Sequence, residues 1–248
     1  MANYLCKSLN AYVITPDYQG ETRHLNAVRF KKFAEIIDIS VDFLCAEYDI
    51  EDVMGFGHSM GSYVLADAVH LNDRLSHIAT YGSPTDHLLR NREKGFLNYL
   101  LGYLYSFDYK VDVRNLLHYV FDKETTVFMN DVMMRDPEFG HEHYDFNLNP
   151  DILQDAVAIL SGYIKKLRDW GKPTMMMFGT KDTLVKKSRD ALPDGYIDEN
   201  ILVKHVKHAS HATPCMDSLV NLMKLDAILL FHRNIQKAGI MNELKGVT

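Results

Sequence analysis

The stretch "VMGFGHSMGSYVLADAV", residues 53–69, joins a strand pattern to a helix pattern through one serine. A short apolar run ends at Phe56, and residues at helical spacing begin directly after Ser59. Gly57 and Gly61 stand two positions before and two positions after this serine, in the spacing G-x-S-x-G. That spacing is typical of a nucleophile elbow, a strained strand-to-helix turn with small flanking residues and an exposed hydroxyl. Ser59 is therefore a candidate nucleophile, and the alternative is a structural serine in a turn.

The composition indicates a globular protein without a basic surface. The chain has 248 residues, of which 47% are hydrophobic, so it can bury the core of one large α/β domain or of two small ones. Its formal net charge of -6 gives no electrostatic footprint for nucleic acid and does not favour acidic substrates. No run approaches the ~18 apolar residues of a membrane span, and the start "MANYLCKSLN" lacks the apolar core of a signal peptide. We predict a cytoplasmic protein that neither binds nucleic acid nor inserts stably into a membrane.

The cysteines and histidines do not form a metal-binding pattern. Cys6, Cys45 and Cys215 are odd in number and widely spaced, which fits neither a disulfide framework nor a zinc site. Three histidines recur at three-residue intervals, but a strand that ends in a loop scatters such side chains: His205, His208 and His211. We predict no metal and no cofactor, and the sequence indicates no particular oligomeric state.

Strand patterns alternate with helix patterns along the chain. Apolar and β-branched runs predict strands at Ala11–Asp17, Val53–Phe56, Leu75–Ser83, Lys172–Thr180 and Ile201–Lys207. Apolar residues at three- and four-residue intervals predict helices at Ala27–Tyr48, Met60–His70 and Cys215–Ile235. This alternation predicts βαβ units and a mostly parallel sheet, in which active groups collect at the carboxyl ends of the strands.

An acid and a base follow the ends of two further predicted strands. Asp182 comes just after the strand Lys172–Thr180, and His208 and His211 come after the next strand. With Ser59, these residues give the chain order Ser, Asp, His, which is the order of the α/β-hydrolase fold. Two alternatives stay open from the residues alone: Asp86 as the acid after an earlier strand, and His208 as the base.

Four motifs occur in a fixed order: "YVITPDYQGETRH" (12–24), "GHSMGS" (57–62), "FGTKDTLV" (178–185) and "ASHATP" (209–214). Together they resemble the α/β-hydrolase superfamily, and within it the branch of monoglyceride lipases and serine aminopeptidases. The resemblance covers nearly the whole chain. It implies an α/β-hydrolase fold, with a mostly parallel sheet and a helical cap insertion over the site.

The resemblance also implies a role for each matched residue. Ser59 is the implied nucleophile, His211 the general base and Asp182 the acid that orients it. The backbone N–H of Met60 is an implied oxyanion donor. These types suit their roles, because a serine hydroxyl is a weak nucleophile until an imidazole takes its proton, and a carboxylate fixes the tautomer of that imidazole.

The middle of the chain is rich in aromatic residues and methionines at helical spacing and has no strong strand signal. It matches the cap of the family, so the predicted division is a core of residues 1–86 and 171–248 and a helical cap of residues 87–170. Most such side chains pack in a core. The sharper hypothesis is that four of them line an apolar substrate pocket: Tyr103, Phe107, Met133 and Met134.

The N-terminus departs from the family, which places three strands and an oxyanion loop before or at its first helix. This chain begins with residues that resemble the interior of that helix, so we expect an N-terminally truncated hydrolase with about five strands. The strand Val13–Thr15 would then either move beside Val53–Phe56 or stand apart from it. With one oxyanion donor instead of two, we expect turnover ~100- to 1,000-fold below that of an intact relative.

Two functions of different class follow. The first is a serine hydrolase that cleaves carboxylic esters, acylglycerol-like or other small apolar esters, through an acyl-enzyme intermediate, with an amidase or aminopeptidase as its nearest variant. Its partner would be a small-molecule ester substrate. The second is a non-catalytic or weakly active protein of the same fold that binds a small apolar ligand or another protein.

Overall fold

The computed structural model describes residues 2–16, 30–85, 111–112, 121–135, 147–148, 162–216 and 226–246. The helices in these segments are α1 (Ala2–Leu9), α2 (Phe30–Tyr48), α3 (Met60–Ala68), α4 (Lys123–Arg135), α5 (Tyr163–Trp170), α6 (Lys186–Ala191) and α7 (Asp226–Gly246), with a 3₁₀ turn at Thr213–Cys215. The strands are β1 (Val53–His58), β2 (Leu75–Tyr81), β3 (Val111–Asp112), β4 (Asn147–Leu148), β5 (Thr174–Gly179), β6 (Ile197–Asp198) and β7 (Ile201–Val206). In these segments, no helix combines the length and the apolar character that a membrane span requires.

Five strands form one sheet in the order β1-β2-β5-β7-β6. The first four are parallel to their neighbours, and β6 is antiparallel to β7. The mostly parallel sheet predicted from the alternation of strands and helices is therefore confirmed. The short strands β3 and β4 form a separate antiparallel pair in the middle of the chain, where the sequence has no strong strand signal.

The strand β5 shows why the sheet lies inside the molecule. All six residues of its sequence "TMMMFG" are buried. Met176 and Phe178 pack with one face of the sheet, and Met175 and Met177 pack with the other. A strand that is apolar on both faces requires helices on both faces, which is the reason that parallel strands read as continuous apolar runs.

Helices cover both faces of the sheet. One face packs against α2, α3 and α5, and the other packs against α1 and α7. On α5, Tyr163, Ile164 and Leu167 are buried in the core cluster of the first face, although the predicted division assigns this segment to the cap. Most of residues 87–170 lies outside the described segments, so the cap itself stays a prediction.

The predicted strand Val13–Thr15 is wrong. Residues 11–16 belong to no strand, and Tyr12, Val13 and Ile14 are 62%, 39% and 36% exposed. A cavity of about 520 Å³ lies between this segment and β1. The fifth strand of the sheet is β6, a two-residue edge strand that has no sequence signal of its own. The segment therefore stands apart from β1 and has not moved beside it.

The strand β1 is consequently an edge strand among the described residues. The N–H groups of Val53 and Ser59 donate to carbonyls on the β2 side, at Arg74 and Tyr81. Because peptide groups alternate between the two sides of a strand, those of Met54, Phe56 and His58 face the cavity. No described residue bonds to them there. A row of such groups is the feature that natural sheets usually cover or pair.

A pair of histidines, of which His77 is buried and His232 half-buried, joins the sheet to α7. The His77 Nε2 lies 2.8 Å from the Nδ1 of His232, and the Ser76 hydroxyl lies 2.9 Å from the other ring nitrogen of His77. The two imidazoles stack with centroids 5.0 Å apart. Burial, and then the neighbouring His232, lower the pKa of His77 to about 4. Burial also lowers the pKa of His232.

These histidines predict a loss of stability in mild acid. In the unfolded chain the pKa of His77 is about 6.5, so this ring binds a proton in mild acid. In the folded protein the same ring binds a proton only near pH 4. When the pH falls from 7 to 5, His77 alone therefore lowers the free energy of unfolding by about 2 kcal/mol. Urea unfolding at both pH values should show that His77→Gln removes this part of the pH dependence. Equal pH dependence in wild type and variant would contradict it.

Candidate active site

Ser59 lies on a strained turn between β1 and α3. Its backbone angles are φ 52° and ψ -122°, and residues other than glycine occupy such regions at a cost of ~1–3 kcal/mol. Its N–H donates to the Tyr81 carbonyl at 2.8 Å. Its carbonyl accepts from the Ser62 N–H at 3.1 Å and from the Ser83 hydroxyl at 3.0 Å. Three hydrogen bonds thus hold the turn that the sequence predicts.

Only one of the two flanking glycines is required by close packing. A Cβ on Gly57 would lie 2.6 Å from the Ser62 Cα, because α3 begins against the end of β1. A Cβ on Gly61 would meet no atom of the described residues within 4 Å, beyond its own helix and its chain neighbours. The expectation that both positions must be small is therefore wrong for Gly61 in this part of the structure.

The structure brings the three predicted residues into one hydrogen-bonded chain. The His211 Nε2 lies 3.0 Å from the Ser59 Oγ, and its Nδ1 lies 2.8 Å from the Asp182 Oδ2. The carboxylate only accepts, so Nδ1 carries a proton in the neutral ring and Nε2 accepts from the serine hydroxyl. Asp182 is fully buried and His211 is 5% exposed.

The loop after β5 holds Asp182 in place. One of its carboxylate oxygens accepts from the Leu184 N–H at 3.0 Å, while the other faces His211. The Asp182 N–H donates to the Gly179 carbonyl at 3.2 Å, and the Arg189 guanidinium donates to that same carbonyl at 2.6 Å. A buried carboxylate needs such bonds, since an unpaired buried charge is strongly unfavourable.

The end of β2 makes room for the histidine and the acid. Gly82 has φ 68°, and a Cβ there would lie 3.0 Å from the His211 Nδ1 and 3.3 Å from the Asp182 Oδ2. The neighbouring Tyr81 donates its hydroxyl to the Ser210 carbonyl at 2.7 Å. Burial, and then the charge of Asp182, raise the pKa of Tyr81, so it remains a neutral donor that supports the histidine loop.

The start of α4 contributes contacts that the sequence reasoning missed. Asp122 accepts from the His211 N–H at 3.2 Å and from the Thr125 N–H at 2.9 Å, and Thr125 Oγ1 accepts from the Ala212 N–H at 3.1 Å. The Phe121 ring lies with its centroid 5.0 Å from that of His211. An aspartate before a helical run predicts an N-cap. Nothing in the local pattern predicts that the cap docks on the histidine loop.

Met60 is the first residue of α3, directly after the serine. No acceptor among the described residues binds its backbone N–H, and its side chain is 44% exposed. The first N–H groups of a helix lack partners within the helix and carry its positive dipole end. The Met60 N–H therefore lies beside Ser59 without a described acceptor, and its role as an oxyanion donor stays a prediction. The expected shortage of a second donor stays a prediction.

The other predicted site residues divide into three groups. His208 is exposed at φ 57°, and the His205 Nε2 bonds the Leu192 carbonyl, whereas the bond to the Ser59 hydroxyl comes from His211. Met133 and Met134 lie in the last turn of α4, and at these two positions only the backbone is described. Three further predictions lie outside the described residues: Asp86, Tyr103 and Phe107. The described part of the chain also holds no group of three or more His, Cys, Asp or Glu that could bind a metal.

Solved structures of low sequence identity share this architecture. A hydrolase from Oleispira antarctica matches with a TM-score of 0.57 at 19% identity, over 93% of this chain and 85% of its own. DcsB, solved in complex with its substrate analogue, matches with a TM-score of 0.60 at 12% identity, over 84% and 75%. The monoacylglycerol lipase of Paleococcus ferrophilus matches with a TM-score of 0.51 at 13% identity, over 80% and 74%.

The chain has the α/β-hydrolase fold. No protein-family model matches the sequence, and no curated protein sequence matches it. The fold assignment therefore depends on the structure, and it agrees with the resemblance of the four sequence motifs. In this α/β-hydrolase fold, Ser59 follows β1, Asp182 follows β5 and His211 follows β7.

The close approach at Gly57 yields a test with a matched control. Gly57→Ala places a methyl group against the backbone of α3, so we expect the free energy of unfolding to fall by ~1–3 kcal/mol. Gly61→Ala lies in a helix with open space at its Cβ, so we expect no loss or a small gain. Urea unfolding of both variants measures the difference. A similar loss in both would show that packing at the elbow is not the cause.

Proposed function

We propose that this chain is a serine hydrolase that cleaves carboxylic esters of modest size. The observation that carries the proposal is the unbroken chain of hydrogen bonds from Ser59 through His211 to Asp182, at distances of 3.0 and 2.8 Å. The serine also lies on a strained turn, next to the Met60 N–H, for which no described residue is the acceptor. A serine in an ordinary turn needs neither of these features.

The mechanism follows from the roles that this geometry permits. His211 Nε2 takes the proton of the Ser59 hydroxyl as its oxygen attacks the ester carbonyl carbon. Asp182 accepts a hydrogen bond from the Nδ1–H of His211 and stabilises the imidazolium that forms. The Met60 N–H donates to the carbonyl oxygen as it gains negative charge, an interaction that contributes ~2.7–4 kcal/mol in comparable sites. His211 then protonates the leaving alcohol, and water hydrolyses the acyl-enzyme by the same steps.

A groove beside the histidine loop has both apolar and charged residues in its lining. It has a volume of about 750 Å³, runs along α4 and contains Val127, Phe128 and Met216 together with three charged residues of that helix: Lys123, Glu124 and Asp131. It also contains Asp122 and Lys181, which adjoin the histidine and the acid. Its size lies in the range of small-molecule sites. We infer acylglycerol-like or other small apolar esters, and the structural likeness to a monoacylglycerol lipase is consistent with that class.

A non-catalytic binding protein of the same fold is the second candidate. The observation that favours it is the open edge of β1 beside a cavity of about 520 Å³, because the strand that carries the serine lacks a described neighbour on one side. A fluorophosphonate probe separates the two candidates. Labelling that maps to Ser59 supports the hydrolase, and a folded sample that takes up no label supports the binding protein.

Substitutions test the assigned roles. We expect Ser59→Ala and His211→Ala to abolish hydrolysis of a short-chain nitrophenyl ester, and Asp182→Asn to lose ~10⁴-fold through the wrong tautomer. His208→Ala is the matched control, because this exposed histidine lies three residues before the buried one. We expect it to keep most of the activity. An inactive His208→Ala with an active His211→Ala would reverse the assignment of the base.

A further inference from the structure

His58 links the strand of the nucleophile to the loop of the general base. It is the last residue of β1 and precedes Ser59 directly. Its Nε2 lies 2.8 Å from the backbone carbonyl oxygen of His211. Its Nδ1 lies 3.5 Å from the Cys215 Sγ, and the imidazoles of His58 and His211 have centroids 5.0 Å apart. One side chain thus joins the end of β1 to the histidine loop, two segments that come together only in the fold.

The protonation of this cluster follows from its partners. Burial, and then the neighbouring His211, lower the pKa of His58 to about 4, so the ring is neutral at neutral pH and carries one N–H. The His211 carbonyl only accepts, which places that hydrogen on Nε2. The Nδ1 lone pair then faces Cys215, whose thiol is an available S–H donor. Burial raises the pKa of this thiol, which keeps the donor protonated although the residue as a whole is exposed.

The backbone of His211 is consequently held from both sides. Its N–H donates to the Asp122 carboxylate at 3.2 Å, and its carbonyl accepts from His58 at 2.8 Å. A shift of the imidazole by about 1 Å relative to the serine can cost ~100-fold in rate. The bond from His58 fixes that distance, because it ties the histidine backbone to the residue beside Ser59.

We propose that His58 is a positioning residue, which clamps the His211 carbonyl through Nε2–H while the Cys215 thiol fixes its tautomer. The inference rests on the proposed function, since it assigns a role toward the general base of that reaction. A half-buried histidine with satisfied hydrogen bonds is often only structural. What distinguishes this one is that its partner is the backbone of the base and its chain neighbour is the nucleophile.

The test removes and then restores the hydrogen-bond donor. His58→Phe keeps a planar ring without the N–H, and we expect kcat on a short-chain nitrophenyl ester to fall ~10- to 100-fold while KM changes less than about twofold. His58→Gln keeps an amide donor, so we expect it to recover most of kcat. Cys215→Ser keeps a donor to Nδ1 and should resemble wild type, whereas Cys215→Ala should lose part of kcat.

His205→Phe is the matched control. The His205 Nε2 also bonds a backbone carbonyl, that of Leu192, at 2.9 Å, but no contact joins it to Ser59, His211 or Asp182 among the described residues. We expect its kcat to equal that of wild type. The same loss in His205→Phe and His58→Phe would assign the effect to general destabilisation and overturn the proposal, as would wild-type kcat in His58→Phe.

A proton resonance gives a readout that needs no turnover. The His211 Nδ1–H bonded to Asp182 should give a far-downfield proton NMR line in wild type and in His58→Gln, and a shifted or broadened line in His58→Phe. If His58→Phe does not fold, the Gln and Cys215 variants carry the test. Failure of wild type to react with the fluorophosphonate would refute the hydrolase alone, and an unchanged line in a folded His58→Phe would refute the positioning role alone.

Discussion

The close approach of β1 and α3 at Gly57 is the constraint on which the site depends. Because the helix begins against the end of the strand, the chain must reverse within one residue, and Ser59 takes a φ of 52°. This conformation is unfavourable by ~1–3 kcal/mol. The packing of α3 between the sheet and α2 offsets that cost, since Tyr63 and Leu65 on this helix are buried in the core cluster. The core thus holds the turn, and the turn presents the Ser59 hydroxyl to His211.

The order of the sheet brings the remaining groups to the same place. Neighbouring parallel strands end at the same edge, so the loops after β1, β2, β5 and β7 lie side by side. Each loop supplies one part of the site: Ser59, Gly82, Asp182 and His211 in turn. The space that Gly82 leaves open also matters, because a Cβ there would lie 3.0 Å from the His211 Nδ1.

Local patterns predict the strands β1, β2, β5 and β7, the helices α2 and α3, and the turn between β1 and α3. The run "TMMMFG" predicts β5 because nothing but a buried strand suits it, and G-x-S-x-G predicts the elbow. The choice of His211 over His208 needed the resemblance, since both follow the same strand. Contacts between distant segments left no local signal, which is why His58 and Asp122 were missed. Val13–Thr15 has a strand pattern but pairs with no described strand, so the strand predicted from that pattern is wrong.

The contacts around His58 also stabilise the carboxyl end of β1, which has an open edge. A strand bonded on both sides is held by both neighbours, but β1 is bonded to β2 only among the described residues. Its carboxyl end is held to β2 by the bond from the Ser59 N–H to the Tyr81 carbonyl, and the bond from the His58 ring to the His211 carbonyl adds a second attachment. The histidine loop and the strand end hold each other in place. Because the same loop carries His211, the contact that steadies the edge strand also sets the distance between the proposed base and the proposed nucleophile.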